Sequence, residues 1–138
     1  MSACIAYTNF LEHFVHLKVL YIRYNIHRDS TDPPSNAIPL LRLLPAPGKL
    51  SKLVFQIGVY EREVTMKDFD WLRDLDAELE REDFHDLMEV VFDVGINRRV
   101  TSEEQIVELI EGNLPKLSLR SPPILRIDVT VLVDPEYE

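Results

Sequence analysis

The chain has 138 residues, enough for one domain that buries roughly two-thirds of the surface its unfolded form exposes. Hydrophobic residues make up 46% and charged residues 28%, proportions of a folding chain rather than a disordered one. Lys and Arg number 15 against 24 Asp and Glu, and the net charge of -9 repels phosphate backbones and anionic lipid, so neither nucleic acid nor a membrane is an expected partner.

Cys4 is the single cysteine and cannot form an internal disulfide, which fits an intracellular setting, cytoplasmic or nuclear. Glu12, His13, His16 and Lys18 interrupt every apolar run near the start, so no signal peptide is expected. No window approaches the roughly 18 consecutive apolar residues of a spanning helix.

In chain order, an apolar N-terminal helix is expected over roughly residues 5–15, carrying Ile5, Phe10, Leu11, Phe14 and Val15. HLKVLYIRY (16–24) holds the first strand, with Leu20, Ile22 and Tyr24 alternating at period two. A polar loop (27–36) follows, then a short helix from Ala37 to Leu44, opened by Ser35 or Asn36 and stopped by Pro45 and Pro47. KLSKLVFQI (49–57) is the second strand segment.

A long helix is predicted over 66–83, started by Thr65 with Asp68, with Phe69, Leu72, Leu75 and Leu79 as its apolar stripe and Trp71 on its flank at the edge of the core. DLMEVVFDV (86–94) is the third strand segment. A helix over 102–111 is predicted next, boxed by Thr101 and Glu104 and ended by Gly112, with Ile106, Leu109 and Ile110 on one face. ILRIDVTVLV (124–133) alternates most cleanly, with Leu125, Ile127, Val129 and Val131 on one side and Arg126, Asp128 and Thr130 on the other.

The first three strand segments place apolar residues at the same four positions, and their leading leucines, Leu17, Leu50 and Leu87, recur at intervals of 33 and 37 residues. That interval accommodates a strand, a turn and a returning helix, the rhythm of a parallel sheet. The fold class expected is α/β: a short leucine-rich-repeat-like solenoid of about four βα units, with a parallel sheet on one side and helices on the other, forming one domain over 1–138. A non-repeating α/β domain is the plainer alternative.

The spacing L-x-x-L-x-[IF] resembles the leucine-rich repeat, although the Asn or Cys expected after the strand is not regularly present and the units exceed the usual length. LPAPGKLSKLVFQI (44–57), FDWLRDLDAELEREDFHDLMEVVFDV (69–94) and LPKLSLRSPPILRIDV (114–129) more closely resemble the C-terminal regions of F-box and F-box-like proteins of mushroom-forming fungi. The resemblance covers roughly residues 10–132 and is one of spacing, with few invariant chemical groups. In that family the F-box recruits a ubiquitin-ligase adaptor and the repeat region is presumed to select the substrate. No Leu-Pro-x-Glu start precedes residue 16, so adaptor binding is carried to no residue here. The resemblance implies the substrate-side end of such a protein, either truncated or a shortened relative, and the apolar N-terminal helix gives the expectation that further repeats or an F-box once preceded it.

Groups that could carry chemistry are sparse. His13 and His16 share a helical spacing, but lack partners at metal spacing, and with His27 and His85 they are expected as surface or helix-end residues. The acidic run Asp68, Asp70, Asp74, Asp76, Glu78, Glu80, Glu82 and Asp83 has helical spacing without an EF-hand glycine, so a solvated helix face is expected. There is no G-x-S-x-G elbow, Cys4 has no charged neighbour to activate it, and Gly48, Gly58, Gly95 and Gly112 are too dispersed for a phosphate loop. No cofactor or metal is expected.

What remains is the outward face of the sheet. Strands stacked in parallel in chain order would align Tyr21, Val54, Val91 and Arg126 in one row and Arg23, Gln56, Asp93 and Asp128 in the next. Tyr21, Arg23, Gln56, Asp93, Arg126 and Asp128 are therefore the candidate partner-binding residues of a non-catalytic protein-interaction module. Two other readings stand beside it: these residues only face solvent or are covered by another segment, or the chain is an enzyme fragment with a carboxylate site near 68–83.

Overall fold

The computed structural model describes residues 17–28, 37–44, 49–84, 86–97, 99–120 and 123–132. Four strands, β1 (Val19–Ile26), β2 (Lys52–Val59), β3 (Glu89–Asn97) and β4 (Leu125–Leu132), form one sheet in the order β1-β2-β3-β4, and every neighbouring pair is parallel. Between them lie α1 (Ala37–Arg42), α2 (Leu72–Glu78), α3 (Glu103–Gly112) and α4 (Pro115–Ser118). The expected α/β run of βα units with a parallel sheet is therefore the architecture.

The register follows the sequence repeat. Leu20 pairs with Leu53, Leu53 with Val90, and Val90 with Leu125. The ladder extends before the strands begin: the Ser51 amide donates to Lys18 O at 2.8 Å, and the Met88 amide to Ser51 O at 2.8 Å. Each of the first three strands also runs past its expected end, through Ile26, Val59 and Asn97.

One face of the sheet is packed. Leu20, Ile22 and Ile26 of β1, Leu53, Phe55, Ile57 and Val59 of β2, and Val90, Phe92, Val94 and Ile96 of β3 are all buried in one cluster with Leu40 and Leu41 of α1, Leu72 and Leu75 of α2, and Ile106 and Ile110 of α3. Each such large side chain contributes roughly 1.5–3 kcal/mol. At the centre Phe55 and Phe92 stack with centroids 5.1 Å apart. On β4 the corresponding residues Leu125, Ile127, Val129 and Val131 are only partly buried, as befits a strand at the sheet's end.

The segment 66–83 is not one helix. It is a 3-10 turn (Met66–Asp68), α2 and a second 3-10 turn (Glu82–Phe84). Phe69, Trp71 and Leu72 are all buried, and a regular helix would turn Trp71 about 200° away from Phe69. The bend between them brings both rings inward. Trp71 is accordingly a core residue, edge-on to Phe55 at 5.4 Å and to Tyr24 at 5.9 Å, and not a residue of the core's rim.

α3 also starts one residue later than expected. Ser102 is its N-cap, accepting from the Gln105 amide at 3.2 Å, while Thr101 is buried and donates its hydroxyl to Gln105 Oε1 at 2.9 Å. Gly112 is the last helical residue and Asn113 the C-cap, its side-chain amide returning to Leu109 O at 2.7 Å. α4 was not anticipated. Its capping position is Leu114, which has no side-chain acceptor, so the Asp76 carboxylate supplies one from 40 residues upstream: the Lys116 and Leu117 amides donate to it at 3.1 and 2.8 Å. The expected N-terminal helix over 5–15 lies outside the described residues, as do Ser35, Asn36, Pro45 and Pro47.

Candidate functional site: the open sheet face

Since side chains alternate across a strand, burying the even-numbered residues of β1 sends Tyr21, Arg23 and Asn25 to the other face. Tyr21 pairs in register with Val54, Val54 with Val91, and Val91 with Arg126. Arg23, Gln56, Asp93 and Asp128 form the next row. Both rows are those the repeat predicts, so all six candidate residues share one face.

Tyr21 is 37% exposed, whereas Val54 and Val91 are only 4% and 3% exposed although neither belongs to the core cluster. They neighbour a chain of ion pairs, Lys52 to Glu89 at 3.7 Å, Glu89 to Arg126 at 2.8 Å and Arg126 to Asp128 at 2.9 Å. In the second row Arg23 Nε donates to Gln56 Oε1 at 2.9 Å. Asp93 is half-buried and has no hydrogen bond or ion pair with any described residue.

The third row brings together two glycines that the sequence shows 37 residues apart. Asn25 pairs with Gly58, Gly58 with Gly95 and Gly95 with Thr130. The ring of Tyr60, just past β2, lies over the glycine pair: a Cβ on Gly58 would come within 2.7 Å of Tyr60 Cε2, and one on Gly95 would collide with the phenol oxygen. Strand-interior glycines mark such close approaches. The two rows and this ring enclose a groove of about 290 Å³, with Arg23, Gln56 and Asp93 on its walls. Sequence reasoning dismissed these glycines as dispersed, yet their separation equals the interval from Leu50 to Leu87, and that was the available signal.

The acidic run is not a uniformly solvated face. Asp68, Asp76 and Glu78 are buried and each has a structural role. Asp76 caps α4. Glu78 accepts from Arg42 at 3.2 Å and Arg81 at 2.6 Å, tying α1 to α2. Asp68 takes a two-pronged contact from Arg62 at 2.8 and 2.5 Å and a 2.7 Å bond from the Thr65 amide. Burial pushes the Asp68 carboxyl up, but the bonds from Arg62 and Thr65 and the Arg62 charge outweigh it and hold it below the ordinary carboxylate range. Asp70, Asp74, Glu80 and Glu82 are exposed as expected.

His27 is exposed, 3.5 Å from Glu61. Among the described residues no group of three or more His, Cys, Asp or Glu could hold a metal ion, and no helix is long and apolar enough to cross a membrane. Cys4, His13, His16, Gly48 and His85 lie outside the described residues. No known family model, curated protein or solved structure matches the chain.

Proposed function

We propose that this chain is a non-catalytic protein-interaction module that recognises its partner with the open sheet face. The observation that carries the reading is the register of Arg23, Gln56, Asp93 and Asp128, a polar row across four parallel strands whose opposite face is taken up by the core. A cation at one end and two carboxylates at the other make a charge pattern that a partner can complement. The resemblance to the substrate-selecting region of fungal F-box proteins supports the same reading. An intracellular protein partner, rather than nucleic acid, suits the net charge of -9 and the lone cysteine.

A carboxylate-based catalytic site near 68–83 has less support, because the three buried acids there are each engaged by structural partners. The test is capture of proteins from cell extract by wild type, by Asp93→Lys/Asp128→Lys and by Asp70→Lys/Asp74→Lys, each verified as folded by circular dichroism. Loss of partners in the first variant alone supports the reading. An identical set captured by all three overturns it.

A further inference from the structure

Among the described residues of the open face, Asp93 is a carboxylate without a cation. Glu89 and Asp128 are both neutralised by Arg126, and Lys52 adds to Glu89. Asp93 has no such contact with a described residue. Arg23 does not reach it, being bonded to Gln56 and standing two strands away, about 9–10 Å across the sheet. Asp128, beside it in register, already holds Arg126, so the carboxylate left to attract a further cation is Asp93 itself.

Two residues further along the same strand face is Gly95, roughly 6–7 Å away, covered by the Tyr60 ring. That ring lies against both glycines, its phenol end nearest Gly95, and is 41% exposed. The groove thus presents the Asp93 carboxylate, the Tyr60 ring and the Thr130 hydroxyl, while Arg23, hydrogen-bonded to Gln56, lines it from the β1 side. A planar cation can lie on the ring while donating two parallel hydrogen bonds to the carboxylate, which is the recognition chemistry of a guanidinium. A lysine ammonium satisfies the charge but not the plane.

From this geometry we infer that the groove between Asp93 and Tyr60 receives an arginine side chain of the partner. The inference rests on the open face being the recognition surface and names the chemistry of what it reads. Gly95 is then a specificity residue, because any larger side chain would displace the ring, whereas at Gly58 it would meet the Asn25 side chain as well as the ring.

The test uses capped peptides, Ac-Gly-Arg-Gly-NH2 and its lysine and citrulline counterparts, titrated into the 15N-labelled chain at millimolar concentrations and followed by NMR. The arginine peptide should shift the amides of Gly58, Gly95 and Thr130, and Asp93→Asn should weaken it roughly tenfold. Tyr60→Ala should weaken it about threefold, and Gly95→Ala should displace the ring and act likewise. Asp70→Asn should leave it unchanged, and each variant's dispersed spectrum reports that it is folded. Equal response to arginine and lysine, a response to citrulline, or shifts scattered over the acidic surface would overturn the arginine slot. If no peptide shifts those amides the slot is likewise overturned, while loss of partner capture by the Asp93→Lys/Asp128→Lys variant still supports the interaction face.

Discussion

Asp93 and Asp128 stand side by side in register on β3 and β4, and among the described residues only Asp128 of the two meets a cation, Arg126 at 2.9 Å. Like charges on adjacent strands destabilise a sheet by a few tenths of a kcal/mol to about 1 kcal/mol. Asp93→Asn is therefore expected to raise unfolding stability by about 0.5 kcal/mol while weakening partner binding. Urea melts paired with a binding assay check this, and a variant that is less stable and binds as well as wild type contradicts it.

Asp68 makes the opposite case, a carboxylate serving structure. Removing its charge breaks the two-pronged pairing with Arg62, and Asp68→Asn should cost about 3 kcal/mol at neutral pH. Since the folded carboxyl is held below its ordinary value, the unfolded chain takes up the proton more readily. The pair's contribution is complete above the ordinary carboxylate range and is lost as pH falls through the folded value. Denaturant melts at pH 7 and near pH 3 should show a wide gap between wild type and variant that narrows in acid, and a gap independent of pH contradicts the assignment.

Tyr24 is half-buried on the core side of β1, but its phenol oxygen is fully buried, and neither that oxygen nor the Trp71 indole nitrogen has a hydrogen-bond partner among the described residues. Burial pushes the phenol above its ordinary range, so it stays neutral. Tyr24→Phe removes an unsatisfied hydroxyl and should leave stability unchanged or raise it by up to about 1 kcal/mol. Calorimetry checks this, and a loss of more than 1 kcal/mol would show that the hydroxyl is bonded.

The strands and their rows were legible because each unit repeats the same frame: Leu17, Leu50 and Leu87 precede each strand, so one register of the repeat fixes which side chains lie opposite one another. The helices were less legible because their irregularities answer to partners far along the chain. Asp76 turns inward to cap α4 some 40 residues away, and Glu78 to meet Arg42. Neither is separable from Asp74 or Glu80 by local spacing. The break after Asp68 was written in Phe69, Trp71 and Leu72, whose apolar spacing cannot be served by one helical face. The glycine slot escaped notice because glycine carries no pattern of its own until the register sets Gly58 against Gly95.

The central claim is that the row from Arg23 to Asp128 meets the partner, and association kinetics test it most directly. With a captured partner purified, the association rate should fall about tenfold or more for Asp93→Lys/Asp128→Lys and become less sensitive to salt, while Asp70→Lys/Asp74→Lys changes it little. Association rates and salt dependence equal for wild type and the sheet-face variant, both folded, would contradict the account.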